Sequence, residues 1–302
     1  MAESIEVHEV APRDGLQNEE RVLTVAQKLR LLELLAAARP DSLEVTSFVR
    51  PDAVPQLADA DELCALIRDA PWRAGLPLYG LVLNLRGWER FRRSGLDGVT
   101  AVVGVSQEFS RRNAGMDRER AVAVNRELLA ACAEAGVPVR LYLSMAFGGP
   151  EDDAPPVAAV AEVAAAFAEG PRPDVLVLAD TVGAAGRAEV EAVLGPVLET
   201  WDVARLGLHV HDTRGRALEA CAAAAERGVR RFDASAGGTG GCPFAPGAAG
   251  NLATGALVAW ARAAGFASRV DPAALDEAVR FLEAVLGRPL ARGAARTPTD
   301  SP

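Results

Sequence analysis

The sequence predicts an α/β protein of the (β/α)8 TIM-barrel class with one extra C-terminal helix. Three observations predict it. Eight short apolar runs end in polar residues or glycine, and segments with helical apolar spacing lie between them. The 302 residues also suit a closed barrel, which uses about 250. An open doubly wound sheet more often stops at five or six strands.

Strands are predicted near 4–10, 42–47, 78–84, 98–105, 138–145, 174–180, 205–211 and 231–235. Between them VAQKLRLLELLAAAR, DADELCALIRDA, DRERAVAVNRELLAACAEAG, PPVAAVAEVAAAFAEG, AEVEAVLGPVLET and RALEACAAAAERG repeat apolar residues at i, i+3 and i+4. A last helix, DPAALDEAVRFLEAVLG, is expected to close the barrel bottom or to pack against a partner subunit. Residues 1–287 form the predicted domain. From Arg288 on the chain has no periodicity, so 288–302 is expected to be disordered.

A formal charge of -9 argues against a nucleic-acid partner, which needs clustered cations. No apolar run approaches the roughly 20 residues that span a bilayer, and the N-terminus lacks a signal-peptide pattern. A cytosolic enzyme with a small-molecule substrate is expected, as a homodimer by the general prevalence of closed oligomers. Cys64, Cys132, Cys221 and Cys242 are spaced like neither a disulfide framework nor a zinc site. Lys28 is the single lysine and falls in the first helix. Imine chemistry on a lysine is thereby disfavoured, as is carboxyl transfer on a carbamylated one.

A barrel collects its chemistry at the C-terminal ends of its strands. There the sequence reads EVAPRDGLQNE, LEVTS, GVSQEF, LVLADT, LHVHD and ASAGGTGGCPFAPGAAGN. In LHVHD, His209 and His211 sit at i and i+2 and so share one face of the strand. With Asp14 they make a candidate divalent-metal site open to substrate, suited to Mn, Mg, Fe or Zn, with Asn251 as a further oxygen donor. His8, early in the first strand, reads as a packed core residue. Arg13 places a permanent cation beside that site, either to neutralise a developing oxyanion or to pair structurally with Glu44 or Asp180. Glu44 and Asp180 read as support, Asp180 with a proton-transfer role. Cys242 lies in the glycine-rich GGTGGCPF, a candidate lid carrying a proton donor.

Together EVAPRDGLQNE, TSFVRPDAVPQLAD, LHVHDT and GGCPFAPGAAGNLAT resemble the 3-hydroxy-3-methylglutaryl-CoA lyase family of the DRE-TIM metallolyases, along nearly the whole chain. The resemblance implies an acyl-CoA substrate and Mg or Mn held by Asp14, His209, His211 and Asn251. It implies that Arg13 stabilises an enolate oxygen, that Cys242 transfers a proton, and that Glu44 and Asp180 support the site. Gln17 and Ser47 match pocket-lining positions, and Ser106 and Thr181, at the ends of the fourth and sixth strands, are expected to line the pocket beside them. The implied reaction is a retro-Claisen cleavage to acetyl-CoA and acetoacetate.

The chain departs from that family's pattern around the mouth. Glu20 stands where Lys is frequent, Gly255 where Glu is typical, Gln107 where Glu follows Ser, Met145 and Gly149 at cysteine positions, and Arg214 at a tyrosine position. These departures leave the acyl group open. A condensing synthase of the same superfamily and a catalytically silent binding barrel are the rival readings.

Overall fold

The computed structural model describes residues 3–149, 154–241 and 250–291. Eight parallel strands close into a barrel in chain order: β1 (Glu6–Glu9), β2 (Ser42–Ser47), β3 (Leu78–Leu81), β4 (Gly98–Gly104), β5 (Val139–Ser144), β6 (Val175–Asp180), β7 (Leu206–Val210) and β8 (Arg231–Ala234). Each predicted strand is present, most of them shorter by a residue or two at one or both ends.

Around them lie α1 (Val25–Ala37), α2 (Ala60–Ile67), α3 (Leu85–Phe91), α4 (Gln107–Ala114), α5 (Arg118–Glu134), α6 (Val157–Ala166), α7 (Arg187–Val197), α8 (Ala217–Glu226), α9 (Thr254–Ala263) and α10 (Pro272–Leu286). Local sequence sets their ends. Thr24 and Gln27 form a capping box that starts α1, Gln27 N donating to Thr24 Oγ1 at 3.2 Å and Thr24 N to Gln27 Oε1 at 2.9 Å. Asp271 caps α10, and Gly287 ends it in the left-handed region at φ 74°.

The main apolar core lies between the strands and this helical shell. Cys64, Cys132 and Cys221 belong to it as buried free thiols on α2, α5 and α8. Lys28 is also buried, its Nζ 2.6 and 2.7 Å from the Asp59 carboxylate oxygens. The ammonium therefore ties α1 to the segment entering α2.

Inside the barrel a smaller apolar cluster of Tyr142, Val175, Val177 and Ala179 fills one side. Polar and charged residues share the interior with it. Branched apolar side chains ordinarily dominate such a lumen, but His8, Glu44, Arg140, His209 and Asp233 are all buried here. His8 is a packed residue, as its place in β1 suggested: Nδ1 lies 2.6 Å from Ser42 Oγ, and the ring meets Tyr79 edge-on.

Helix α10 packs along α1 on the outer wall. Of the stretch expected to be disordered, residues 288–291 are described, and they are bonded to the body of the barrel. Arg288 pairs with Glu19, Leu290 N donates to Glu283 Oε1 at 3.0 Å, and Ala291 N donates to the Gly237 carbonyl at 3.0 Å. Residues 292–302 lie outside the described residues.

Candidate active site

The turn after β1 is a π-helical segment, Ala11–Gly15, and it presents Arg13 and Asp14 at the barrel mouth. Gly15 permits its close approach to the end of β8, since a Cβ there would sit 2.4 Å from Thr239 Oγ1 and 2.8 Å from Ser235 Oγ. Beneath the turn, the buried Glu9 carboxylate accepts from Ala11 N and Ala236 N, both at 2.9 Å, and from Thr254 Oγ1 at 2.6 Å. One side chain thus fastens the Arg13–Asp14 turn, the segment after β8 and the first turn of α9. Burial, only partly offset by these three bonds, pushes Glu9 from its ordinary 4.5 up to about 7.

His209 and His211 leave β7 on the same face, as their spacing predicts. One ligand atom from each and one from Asp14 lie within 4.8 Å of one another. Asn251 is brought alongside because the chain after β7 pairs with the chain entering α9: Asp212 N donates to Gly250 O at 2.8 Å, and Leu252 N to Val210 O at 3.1 Å. Asn251 Nδ2 donates to Asp14 Oδ2 at 2.7 Å. Gly250 is required at this crossing, where a Cβ would come within 2.1 Å of the Gly240 carbonyl oxygen.

The donor set fits a divalent cation. Among the described residues, Asn251 Oδ1 and His211 Nδ1 are buried with no hydrogen-bond partner. Burial alone would raise Asp14, but Arg13 and then His209 and His211 hold it down to about 2, so the carboxylate is ionised. Burial, aided by His209, lowers His211 to about 4, which leaves its ring neutral with a free lone pair. Neutral imidazole and carboxylate are the forms that ligate metals.

Arg13 donates from Nη1 to Asp14 Oδ1 at 2.7 Å and from Nε to the fully buried Glu44 at 2.8 Å. Burial alone would lower the guanidinium's pKa, but Glu44 and then Asp14 raise it, so Arg13 stays charged. Of the two carboxylates suggested as its partner, Glu44 takes that place. Asp180 accepts instead from Ala184 N at 2.9 Å and Ala185 N at 2.8 Å, which shapes the loop after β6.

Gln17 Oε1 lies 3.4 Å from Arg13 Nη1, so its side chain reaches the mouth. Ser47 Oγ accepts from Val49 N at 3.3 Å, and Ser106 Oγ accepts from Phe109 N as the N-cap of α4. Thr181 Oγ1 accepts from Met145 N at 3.1 Å. Met145 is buried with φ 65°, a strained angle for a residue with a side chain. Cys242 lies outside the described residues.

The departures from the family pattern fall into two groups. Glu20 and Arg214 are exposed. Gln107 is turned toward α5, its Nε2 2.9 and 2.8 Å from the Glu119 oxygens and its Oε1 accepting from Arg118 N at 3.1 Å. Gly149 and Gly255 are half-buried, and with Met145 they form the second group.

Sequence reading missed Glu9, Arg140, Tyr142 and Asp233. Asp233 on β8 stands in register with His209 on β7. It accepts from Arg140 Nη2 at 2.6 Å and from the Tyr142 hydroxyl, and its Oδ2 lies 3.3 Å from His209 Nδ1. A signal for this set existed: in VRLYLS and RFDA, polar residues alternate with apolar ones inside strands that a parallel sheet should bury on both faces.

A closed eight-stranded barrel with an Asp/His cluster of metal-ligating groups and a charged arginine at the C-terminal ends of its strands defines the class, a TIM-barrel enzyme. The sequence model of the HMGL-like family matches residues 4–282. The chain belongs to the HMGL-like family.

It is 36% identical over 285 residues to the hydroxymethylglutaryl-CoA lyase of Pseudomonas mevalonii, an alignment covering 94% of this chain and 93% of the relative. It is 35% identical over 298 residues to the (R)-citramalyl-CoA lyase of Chloroflexus aurantiacus, covering 95% and 93%. The solved structure of an HMG-CoA lyase from Acinetobacter baumannii, in complex with coenzyme A and 3-methylmalate, superposes with a TM-score of 0.88 at 31% identity and covers 99% of this chain and 97% of that one. Among the described residues, no helix is long and apolar enough to cross a membrane.

Proposed function

We propose that this protein is a carbon–carbon lyase that cleaves 3-hydroxy-3-methylglutaryl-CoA to acetyl-CoA and acetoacetate with Mg2+ or Mn2+ as cofactor. The observation that carries the reading is the convergence of Asp14, His209 and His211 within 4.8 Å, beside Arg13 and the unpartnered Asn251 Oδ1. Asp14, His209, His211 and Asn251 are the proposed ligands. When bound, the cation supplies Lewis acidity toward the substrate's hydroxyl and carbonyl oxygens.

The reaction removes the proton of the tertiary hydroxyl, breaks the adjacent carbon–carbon bond, and leaves that bond's electron pair on acetyl-CoA as an enolate. Protonation at carbon completes it. Arg13 is the proposed stabiliser of the enolate oxygen, because its Nε–Glu44 and Nη1–Asp14 bonds fix a charged guanidinium in place before any substrate arrives. Cys242 is the proposed donor of the proton to carbon. Glu44 orients Arg13, and Asp180 orients the loop after β6, with a role in moving the hydroxyl proton. Gln17, Ser47, Ser106 and Thr181 are the proposed substrate-facing residues.

Acyl choice is less fixed than chemistry, because a relative of nearly the same identity is named for citramalyl-CoA. The decisive experiment is a coupled acetyl-CoA assay with Mn2+ or Mg2+ on both thioesters, with His211→Ala as control. Efficient release from the hydroxymethylglutaryl thioester, lost in His211→Ala along with bound metal, is expected. Turnover of neither thioester, or full activity in His211→Ala, would overturn the proposal.

A further inference from the structure

We propose that Asp233 is a positioning residue that locks His209 in its Nδ1–H tautomer, so that Nε2 keeps the lone pair with which the ring joins the Asp14–His211 cluster. The inference rests on the metal site proposed above. A carboxylate can only accept, so the His209 Nδ1 that lies 3.3 Å from Asp233 Oδ2 must carry the hydrogen. The arrangement is rigid. His209 and Asp233 are neighbours in the β7–β8 ladder, and Asp233 is fully buried.

Arg140 and Tyr142 make the constraint one-way. Arg140 Nη2 donates to Oδ1 at 2.6 Å, and the Tyr142 hydroxyl donates to Oδ2, the same oxygen that faces His209. Arginine has no acceptor. In an Asp233→Asn variant the amide oxygen must therefore face Arg140, because an NH2 group there would meet donor with donor. The NH2 group is then turned toward His209 Nδ1, which can only accept from it. The isosteric change inverts the tautomer and puts hydrogen on Nε2, where the metal lone pair was.

The experiment uses the full chain and two readouts. The first is 15N NMR of the imidazoles in metal-free protein at pH 8.5, where three histidines in the sequence make assignment direct. The wild type is expected to show His209 protonated at Nδ1, and Asp233→Asn to show it protonated at Nε2. The second is Mn2+ titration, where Asp233→Asn is expected to bind roughly 10–100-fold more weakly, the range for losing a ligand's outer partner.

Tyr142→Phe, which keeps the carboxylate, is expected to keep the wild-type tautomer. A structural role alone would not move the hydrogen between ring nitrogens. Nε2–H in the wild type overturns the proposal whether or not the variant folds, as does unchanged Mn2+ affinity in Asp233→Asn. Wild-type Mn2+ affinity in His209→Ala and His211→Ala would instead sink the metal site itself, a result that the imidazole spectrum does not depend on.

Discussion

Replacing Glu9 by Gln tests how the polar interior is held together. The Glu9 carboxyl is buried, and its folded pKa stands near 7 against an ordinary 4.5. The folded state therefore holds this proton more tightly than the unfolded chain does. Such a group contributes stability that is fully present below about pH 4.5 and is lost as pH rises through about 7. At 1.36 kcal/mol per pH unit, the displacement is worth about 3 kcal/mol across that window.

Glutamine should reproduce the protonated form. Its amide oxygen can accept from Ala11 N and Ala236 N, as Glu9 Oε1 does, and its NH2 can donate to Thr254 Oγ1 in place of the bond to Oε2. The assay is urea unfolding of wild type and Glu9→Gln in chelator at several pH values between 5 and 8. Chelation keeps metal linkage out of the comparison. The stability of wild type relative to the variant should fall by about 2–3 kcal/mol over that range, leaving Glu9→Gln the more stable protein at pH 8. Parallel curves for the two proteins would refute the assignment of a buried, proton-retaining carboxyl.

Two further predictions concern the chemistry. Glu44→Gln leaves Arg13 without its fully buried charged partner; a hydrogen bond between charged groups contributes about 1.5–3 kcal/mol, so kcat should fall roughly ten- to a hundredfold while Mn2+ affinity changes little. Equal kcat in a steady-state assay would remove Glu44 from the support of Arg13. Cys242→Ser should lower kcat by about 10²–10⁴, the usual contribution of a positioned proton donor, with metal content unchanged. A kcat equal to that of the wild type would remove Cys242 from the chemistry.

What could be read from sequence follows a physical division. The barrel was legible because repeated β and α periodicities and chain length constrain it jointly. The Asp14–His209–His211 cluster was legible because i, i+2 spacing fixes a shared face on any strand, and because a barrel's geometry then says which strand ends meet. Alternation does not reveal which of two buried faces points into the lumen. Arg140, Tyr142 and Asp233 therefore passed for ordinary strand residues until β5, β7 and β8 were closed into one ring. Glu9 hid for a related reason: its partners Ala236 and Thr254 lie more than two hundred residues away, and all three of its donors are backbone or hydroxyl groups with no sequence signature. An aperiodic stretch can still be anchored, as Ala291 is to the Gly237 carbonyl.

The charge arrangement gives an independent reason for a cation at the mouth. An unpaired buried charge is costly, so buried carboxylates are expected to have partners. Asp233 has Arg140. Arg13, however, serves Glu44 and Asp14 together, with contacts of 2.8 and 2.7 Å. One guanidinium between two carboxylates leaves a unit of negative charge in excess unless His209, which Asp233 raises against its burial, carries a proton; His211, lowered to about 4, does not supply one near neutral pH. Asn251 turns only its NH2 toward Asp14 and leaves its oxygen without a partner. A divalent cation within reach of Asp14, His209, His211 and Asn251 Oδ1 would answer both the surplus charge and the orphaned donor atoms. A monovalent ion would offset the charge but would leave the imidazole nitrogens poorly matched, since imidazole is a ligand of divalent metals.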